Sequence, residues 1–155
     1  MNIRRATAQD VKVVASLCHH VQEVHIQGRP DIFKPFDDEV LTEHMRLRLE
    51  APDTIGFLGE ADHQAVAYVM LAVIDKPASL YKHPEKYMEI DQISVHPDYQ
   101  RRGYGELLTQ YAMEFAKSIG ISHVTLGVWA FNTNAIRFYE RLGFTNQHTK
   151  MEIIL

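Results

Sequence analysis

Cysteine is almost absent from this 155-residue chain: Cys18 is the only one. One thiol closes no disulfide within the chain, so stability has to come from a packed core, and a reducing, cytoplasmic setting is expected. Long apolar runs are missing as well. None approaches the roughly 20 residues of a membrane span, and Met1-Asn2-Ile3-Arg4-Arg5 opens no signal-peptide core, so no membrane partner is expected. There is no excess of basic charge either. Lys and Arg number 16 against 20 Asp and Glu, a formal net charge of −4, which offers no basic face to a nucleic-acid backbone. Histidine is plentiful, but His19 and His20 are adjacent and diverge on a helix. No His-x-x-x-His pair has a third ligand nearby, and no metal site is expected. Repeats, low-complexity tracts and linkers are also lacking.

What remains has the composition of an ordinary globular protein, 46% hydrophobic and 23% charged. Its length suits one domain, 1–155, able to bury roughly two-thirds of its unfolded surface. Residues 2–6 read as a short strand. Thr7 with Asp10 forms a capping pattern for a helix over 9–25, with Val11, Val14, Cys18, Val21 and His25 on one side, which makes Cys18 a core residue. A loop with Gly28, Pro30 and Pro35 leads to a second helix over 38–49, with Val40, Leu41, Met45 and Leu49 inward. A hairpin follows, 54–60 and 64–74 around Ala61-Asp62-His63. A loop over 75–86 precedes a strand over 87–95. The helix over 104–119 lines up Leu108, Tyr111, Ala112, Phe115 and Ile119, and strands are expected at 124–128 and 147–154. Strand 87–95, the helix and strand 124–128 form a crossover unit, which implies a parallel pair in a sheet otherwise built of hairpins.

The densest signal is Val95-His96-Pro97-Asp98-Tyr99-Gln100-Arg101-Arg102-Gly103-Tyr104-Gly105-Glu106. A strand ends at a proline, a turn with two arginines and two glycines follows, and a helix begins. That order leaves backbone N–H groups unpaired at the positive end of a helix dipole, a place that binds phosphate. The glycines allow close approach, and Arg101 and Arg102 add charge suited to a pyrophosphate. A Walker A loop would need Gly-Lys-Ser/Thr, and a dinucleotide fingerprint would need a small residue where Leu108 stands. Neither fits. Downstream, Asn132-Thr133-Asn134-Ala135-Ile136-Arg137-Phe138-Tyr139-Glu140-Arg141-Leu142-Gly143-Phe144 reads as a short helix, capped by Asn132 or Thr133 and ended by Gly143. Ala135, Phe138, Tyr139 and Leu142 share one of its faces.

Gln-x-x-Gly-x-Gly after Val-x-Pro, followed at this distance by Asn-x-x-Ala-x-x-Phe-Tyr-x-x-x-Gly-Phe, resembles the GNAT superfamily of acyl-CoA-dependent N-acyltransferases. The resemblance covers most of the chain and is sharpest from Tyr87 to Phe144. It implies an α+β fold: a mixed, mostly antiparallel sheet with a splayed parallel strand pair, flanked by helices. It also implies acetyl-CoA as co-substrate, with the pyrophosphate held along Gln100, Arg101, Arg102, Gly103, Tyr104, Gly105 and Glu106. The pantetheine arm would pair with the backbone of Ile93, Ser94 and Val95. Asn132 and Tyr139 would complete the cofactor contacts.

The activity so implied is transfer of an acetyl group to a primary amine by direct attack, through a tetrahedral intermediate stabilised by a strand amide. A lysine-like amine has a pKa of about 10.4, so a base is useful near neutrality. Strand alternation puts Tyr87, Glu89 and Asp91 on one face. Counting back from Gln100, Glu89 matches the catalytic glutamate of the family's lysine-acetylating members, with Asp91 or water as alternatives. Tyr139 matches the family's frequent acid for the departing thiolate. A non-catalytic acyl-CoA-binding regulatory domain would keep both loops but would need neither carboxylate nor Tyr139. The segment 25–40 is expected to wall the acceptor site. Small-molecule amines and protein amino groups, a homodimer or a monomer, and the preferred acyl chain length all stay open.

Overall fold

The computed structural model describes all residues, 1–155. Strands β1 (Asn2–Arg5), β2 (Thr54–Ala61), β3 (Gln64–Lys76), β4 (Glu85–Val95) and β5 (Val124–Leu126) lie side by side in chain order. The first four pair antiparallel and the β4–β5 pair is parallel. The β2–β3 turn is tight because Asp62 and His63 both take left-handed φ values, +51° and +62°. Two such residues in succession match the twist of the strands they join. β3 is the central strand, and Val66 through Leu71 are all buried, as expected of a strand covered on both faces.

Helices cover the two faces, and each face has its own core. On one side α1 (Val11–Gly28) and α2 (Asp38–Glu50) bring Val14, Leu17, Cys18, Leu41 and Met45 against Leu58, Tyr68 and Met70. On the other, α3 (Tyr104–Ser118) lays Leu108, Ala112 and Ala116 on Phe57, Val69, Leu71, Met88 and Ile90. The helix α4 (Thr133–Arg141) lies beside the start of α3, with Phe144 packed on the second core. The caps follow from sequence. Thr7 and Asp10 make the reciprocal capping box ahead of α1. Asp37 starts α2 by accepting from the N–H groups of Glu39 and Val40, each at 3.0 Å.

The α+β architecture and the parallel pair agree with the expectation, and several details differ. Val40 is 69% exposed: Leu41 and Met45, one turn apart, define the inward stripe, and Val40 lies about 100° off it. On α3 the buried set is Leu108, Thr109, Ala112 and Ala116. Tyr111 and Ile119 are half exposed at the edge of the stripe, while Tyr111 and Phe115 meet Phe57 edge-on at 4.9 and 5.1 Å. The hairpin strands run longer than expected, which shortens the loop before β4, and β5 stops at Leu126 instead of 128. No strand forms at 147–154. Its apolar pattern is strand-like, but no ladder partner is present. The chain instead passes the end of α1, where Glu152 meets Arg29, and leaves Met151, Ile153 and Ile154 in solvent.

Candidate functional site

One extra residue in β4 organises the centre of the molecule. Met70 pairs with Gln92 and Leu71 with Ile90, so Asp91 is a bulge without a partner on β3. The bulge resets the alternation of the strand. Before it, Met88 and Ile90 face the α3 core; after it, Ile93 and Val95 do. Backbone direction shifts likewise. The Met88 N–H donates across to His123 on the β5 side, and the His96 N–H donates to Val66 on β3. By antiparallel alternation Gln92 and Ser94 bond β3, which leaves Ile93 and Val95 facing the β5 side. There they meet no strand, because β4 and β5 pair only over Met88–Ile90 and Val124–Leu126. The two strands part at Asp91, and the resulting gap is lined by main-chain groups able to pair with an extended amide-bearing ligand.

Ser94 contributes differently from its neighbours. Its hydroxyl donates to the Leu17 carbonyl at 2.9 Å, tying β4 to α1. Gln92 accepts from the Tyr68 hydroxyl at 2.9 Å and sits beside the Cys18 thiol. Both residues fix β4 in place from the face opposite α3.

The gap opens onto the turn before α3. Arg101 and Gly103 have φ values of +60° and +80°. Left-handed backbone at alternate positions curls successive N–H groups toward one point and makes an anion-binding concavity. Gly103 caps α3 without a side-chain bond, so the first-turn N–H groups of Tyr104, Gly105 and Glu106 stay available. Gln100 donates through its amide to the Val95 carbonyl at 3.1 Å and fastens the turn to β4. Arg102 folds back, its guanidinium 4.9 Å over the Tyr99 ring and bonded to the Asp98 carbonyl at 2.8 Å. Arg101 has no ion-pair or hydrogen-bond partner. Of the two, Arg101 is the side chain free to meet an anion.

The two carboxylates differ in the same way. Asp91 is paired with Arg48 of α2 at 2.7 Å, a partner the sequence did not reveal. Glu89 has no ion pair or hydrogen bond and stands beside Thr125 in the parallel register. On α4, Asn132 spends its side-chain oxygen on the Ala135 N–H at 3.1 Å, as the helix cap. Tyr139 packs edge-on against Phe138 and Phe144, and burial pushes its phenol up to about 12. It therefore stays protonated at any physiological pH.

A further cluster joins the α1 end to the segment after β5. His25 stacks on Phe33 at 4.8 Å, Phe33 meets Trp129 edge-on at 5.2 Å, and Trp129 stacks with Phe131 at 6.2 Å. The 25–40 segment is the one expected to wall the acceptor site; its contact with Trp129 was not foreseen. The signal was an aromatic pair immediately after a strand.

A mixed sheet whose parallel pair parts beside an uncapped, glycine-bearing helix start defines a class of proteins that take an extended, anionic ligand into the sheet. The chain belongs to the acetyltransferase (GNAT) family, whose model matches residues 21–144. An L-ornithine N5-acetyltransferase of Arabidopsis thaliana is 32% identical over 120 residues, 77% of this chain and 50% of that protein. The ribosomal protein bS18-alanine N-acetyltransferase of Salmonella typhimurium is 33% identical over 84 residues, 54% of this chain and 50% of that one. The chain thus spans about half the length of these curated relatives. Among solved structures, the BH1408 protein of Bacillus halodurans, as a tetramutant, superposes with a TM-score of 0.94 at 26% identity, covering 100% of both chains.

Proposed function

We propose that the protein transfers the acetyl group of acetyl-CoA to a primary amine. The observation that carries this reading is the parting of β4 and β5 at Asp91, which leaves Ile93 and Val95 without a strand partner on the β5 side, directly upstream of the Arg101–Gly105 turn. Family membership supplies the donor. The turn suits a pyrophosphate, held by the N–H groups of Gly103 to Glu106 and the free guanidinium of Arg101. The main chain of Ile93 and Val95 suits the amides of the pantetheine arm, and Asn132 acts there only by fixing the start of α4.

Glu89 is the base in this reading, directly or through water, since Asp91 is already committed to Arg48. Tyr139 faces the departing sulfur. A phenol near 12 does not surrender its proton to a thiolate of pKa about 8.5. It donates a hydrogen bond as charge gathers on sulfur, and the proton that ends on the thiol comes from the attacking nitrogen. Atoms balance: Glu89 takes one proton from the ammonium and passes it to solvent, an N–C bond forms, the C–S bond breaks, and a second proton passes from nitrogen to sulfur. The relatives include acetyltransferases named for L-ornithine and for an alanine of ribosomal protein bS18, so small-molecule and protein acceptors both belong in the test. Incubation with acetyl-CoA and a panel of amines and peptides should release free thiol and add one acetyl mass to an acceptor. Binding of acetyl-CoA with no acceptor gaining mass would overturn the transfer reading.

A further inference from the structure

Past Leu126 the chain leaves β4 and is no longer strand, and three residues further on Trp129 meets Phe33 of the segment after α1. Phe131, its stacking partner, lies against Gly28, so Trp129 stands at the end of α1, just past the point where β5 parts from β4. It is 38% exposed, yet Phe33 meets its edge and Phe131 its face. A half-exposed tryptophan braced by two phenylalanines is a rigid apolar surface, with few rotatable bonds to freeze when a ligand lands on it.

Charge lies at the rim of this surface, as one guanidinium shared by two carboxylates. Arg29 lies 5.9 Å over the Trp129 ring, and its guanidinium is held by Asp31 and Glu152. His25, stacked on Phe33, is held toward its neutral form by burial. The free carboxylate of the region is Glu89, beside Thr125, four residues before Trp129 in the chain. An acceptor therefore finds one carboxylate without a partner, Glu89, and one flat apolar wall whose rim carries the Arg29 cluster.

We infer that the acceptor is a primary amine carried on an aryl group or a similarly flat apolar body, the ring lying on Phe33 and Trp129 and the ammonium reaching Glu89. This rests on the transfer reading and narrows it. Trp129 is the chain's only tryptophan, so its fluorescence reports the wall directly and without turnover. With CoA bound, 2-phenylethylamine should change the emission saturably and bind at least about tenfold tighter than ethylamine or 1,4-diaminobutane, the discrimination an apolar pocket gives for groups of this size. Phe33→Leu, which keeps an apolar residue in place, should weaken that binding severalfold. In turnover, kcat/KM should rank the three amines in the same order, and Trp129→Leu should collapse the ranking through KM.

Equal binding of the three amines, or a preference for 1,4-diaminobutane or a peptide N-terminus, overturns the inference. If the amines are acetylated without preference, the transfer reading stands and only the aryl specificity falls. If 2-phenylethylamine binds selectively but no acceptor is acetylated, the wall stands and the transfer reading falls.

Discussion

Glu89 and Asp91 show how little separates two roles on one strand. Both are carboxylates of β4, but one has a guanidinium at 2.7 Å and the other has none. Glu89→Gln should cut the acetylation rate at neutral pH by roughly 10²-fold or more, the usual worth of a general base, with KM for acetyl-CoA unchanged. Asp91→Asn should act on stability instead. The pair is about one-third exposed and solvent-screened, so its loss should cost on the order of 1 kcal/mol, read as a lower Tm. The buried Arg48 Nε already lacks a partner, which leaves that guanidinium poorly compensated. A large rate loss in Asp91→Asn with Glu89→Gln near wild type would exchange the two assignments. Tyr139→Phe removes only the donor and should slow turnover roughly 10- to 100-fold, the worth of one hydrogen bond to a charged group. The sign of its pH effect follows from the raised phenol, near 12 folded against about 10 unfolded. Its contribution to stability is full below pH 10 and is lost as pH rises through 12. Tyr139→Phe should therefore leave the shape of the rate profile below pH 9 intact, and differ from wild type in alkaline unfolding. A profile that changes shape near neutrality would give the phenol a lower pKa in the working complex.

At the scale of elements, the sequence announced the turn and the helices and hid the bulge. Pro97, Gly103 and Gly105 mark the turn by backbone chemistry that any sequence displays, and the Thr7–Asp10 box and Asp37 mark helix starts in the same way. The bulge at Asp91 has no such marker. It shows only once β3 is laid beside β4, and it changes which of Ile93, Ser94 and Val95 offer main-chain groups to the gap. The strand at 147–154 failed for the converse reason: alternation was legible, but a strand exists only if a ladder receives it. Arg48, Trp129 and Phe131 escaped because their roles arise from contacts between distant segments. The turn itself is testable. A Cβ at Gly103 meets open space, but its φ of +80° is costly for other residues. Gly103→Val should lose about 1–2 kcal/mol of stability and bind acetyl-CoA far more weakly, as measured by calorimetry. At Gly105 a Cβ would lie 3.5 Å from Phe138, ordinary contact. Gly105→Ala should fold as wild type, whereas Gly105→Val should press on Phe138 and weaken acetyl-CoA binding. Undiminished affinity in both folded valine variants would remove the pyrophosphate from this turn.

For the molecule as a whole, the sheet separates two cores, and α1 is fastened at two further places. One is the Ser94–Leu17 bond, and another is the end of α1, where Gly28 lies so close to Phe131 that a Cβ there would fall 2.1 Å from the ring. Gly28→Ala must push the ring aside. Although alanine favours helix, the variant should lose about 1–3 kcal/mol by overpacking, seen as a lower Tm together with altered Trp129 fluorescence. An unchanged Tm and spectrum would mean that the α1 end and the segment after β5 move independently. The first core also encloses the chain's only thiol. Cys18 is 3% exposed, and burial raises its pKa. A disulfide reagent reacts with accessible thiolate, so the folded protein is close to transparent to it. Every equivalent of chromophore released during catalysis then counts a coenzyme molecule, and a slow delayed equivalent from the protein itself counts unfolding. A single colorimetric trace thus separates turnover from loss of the fold.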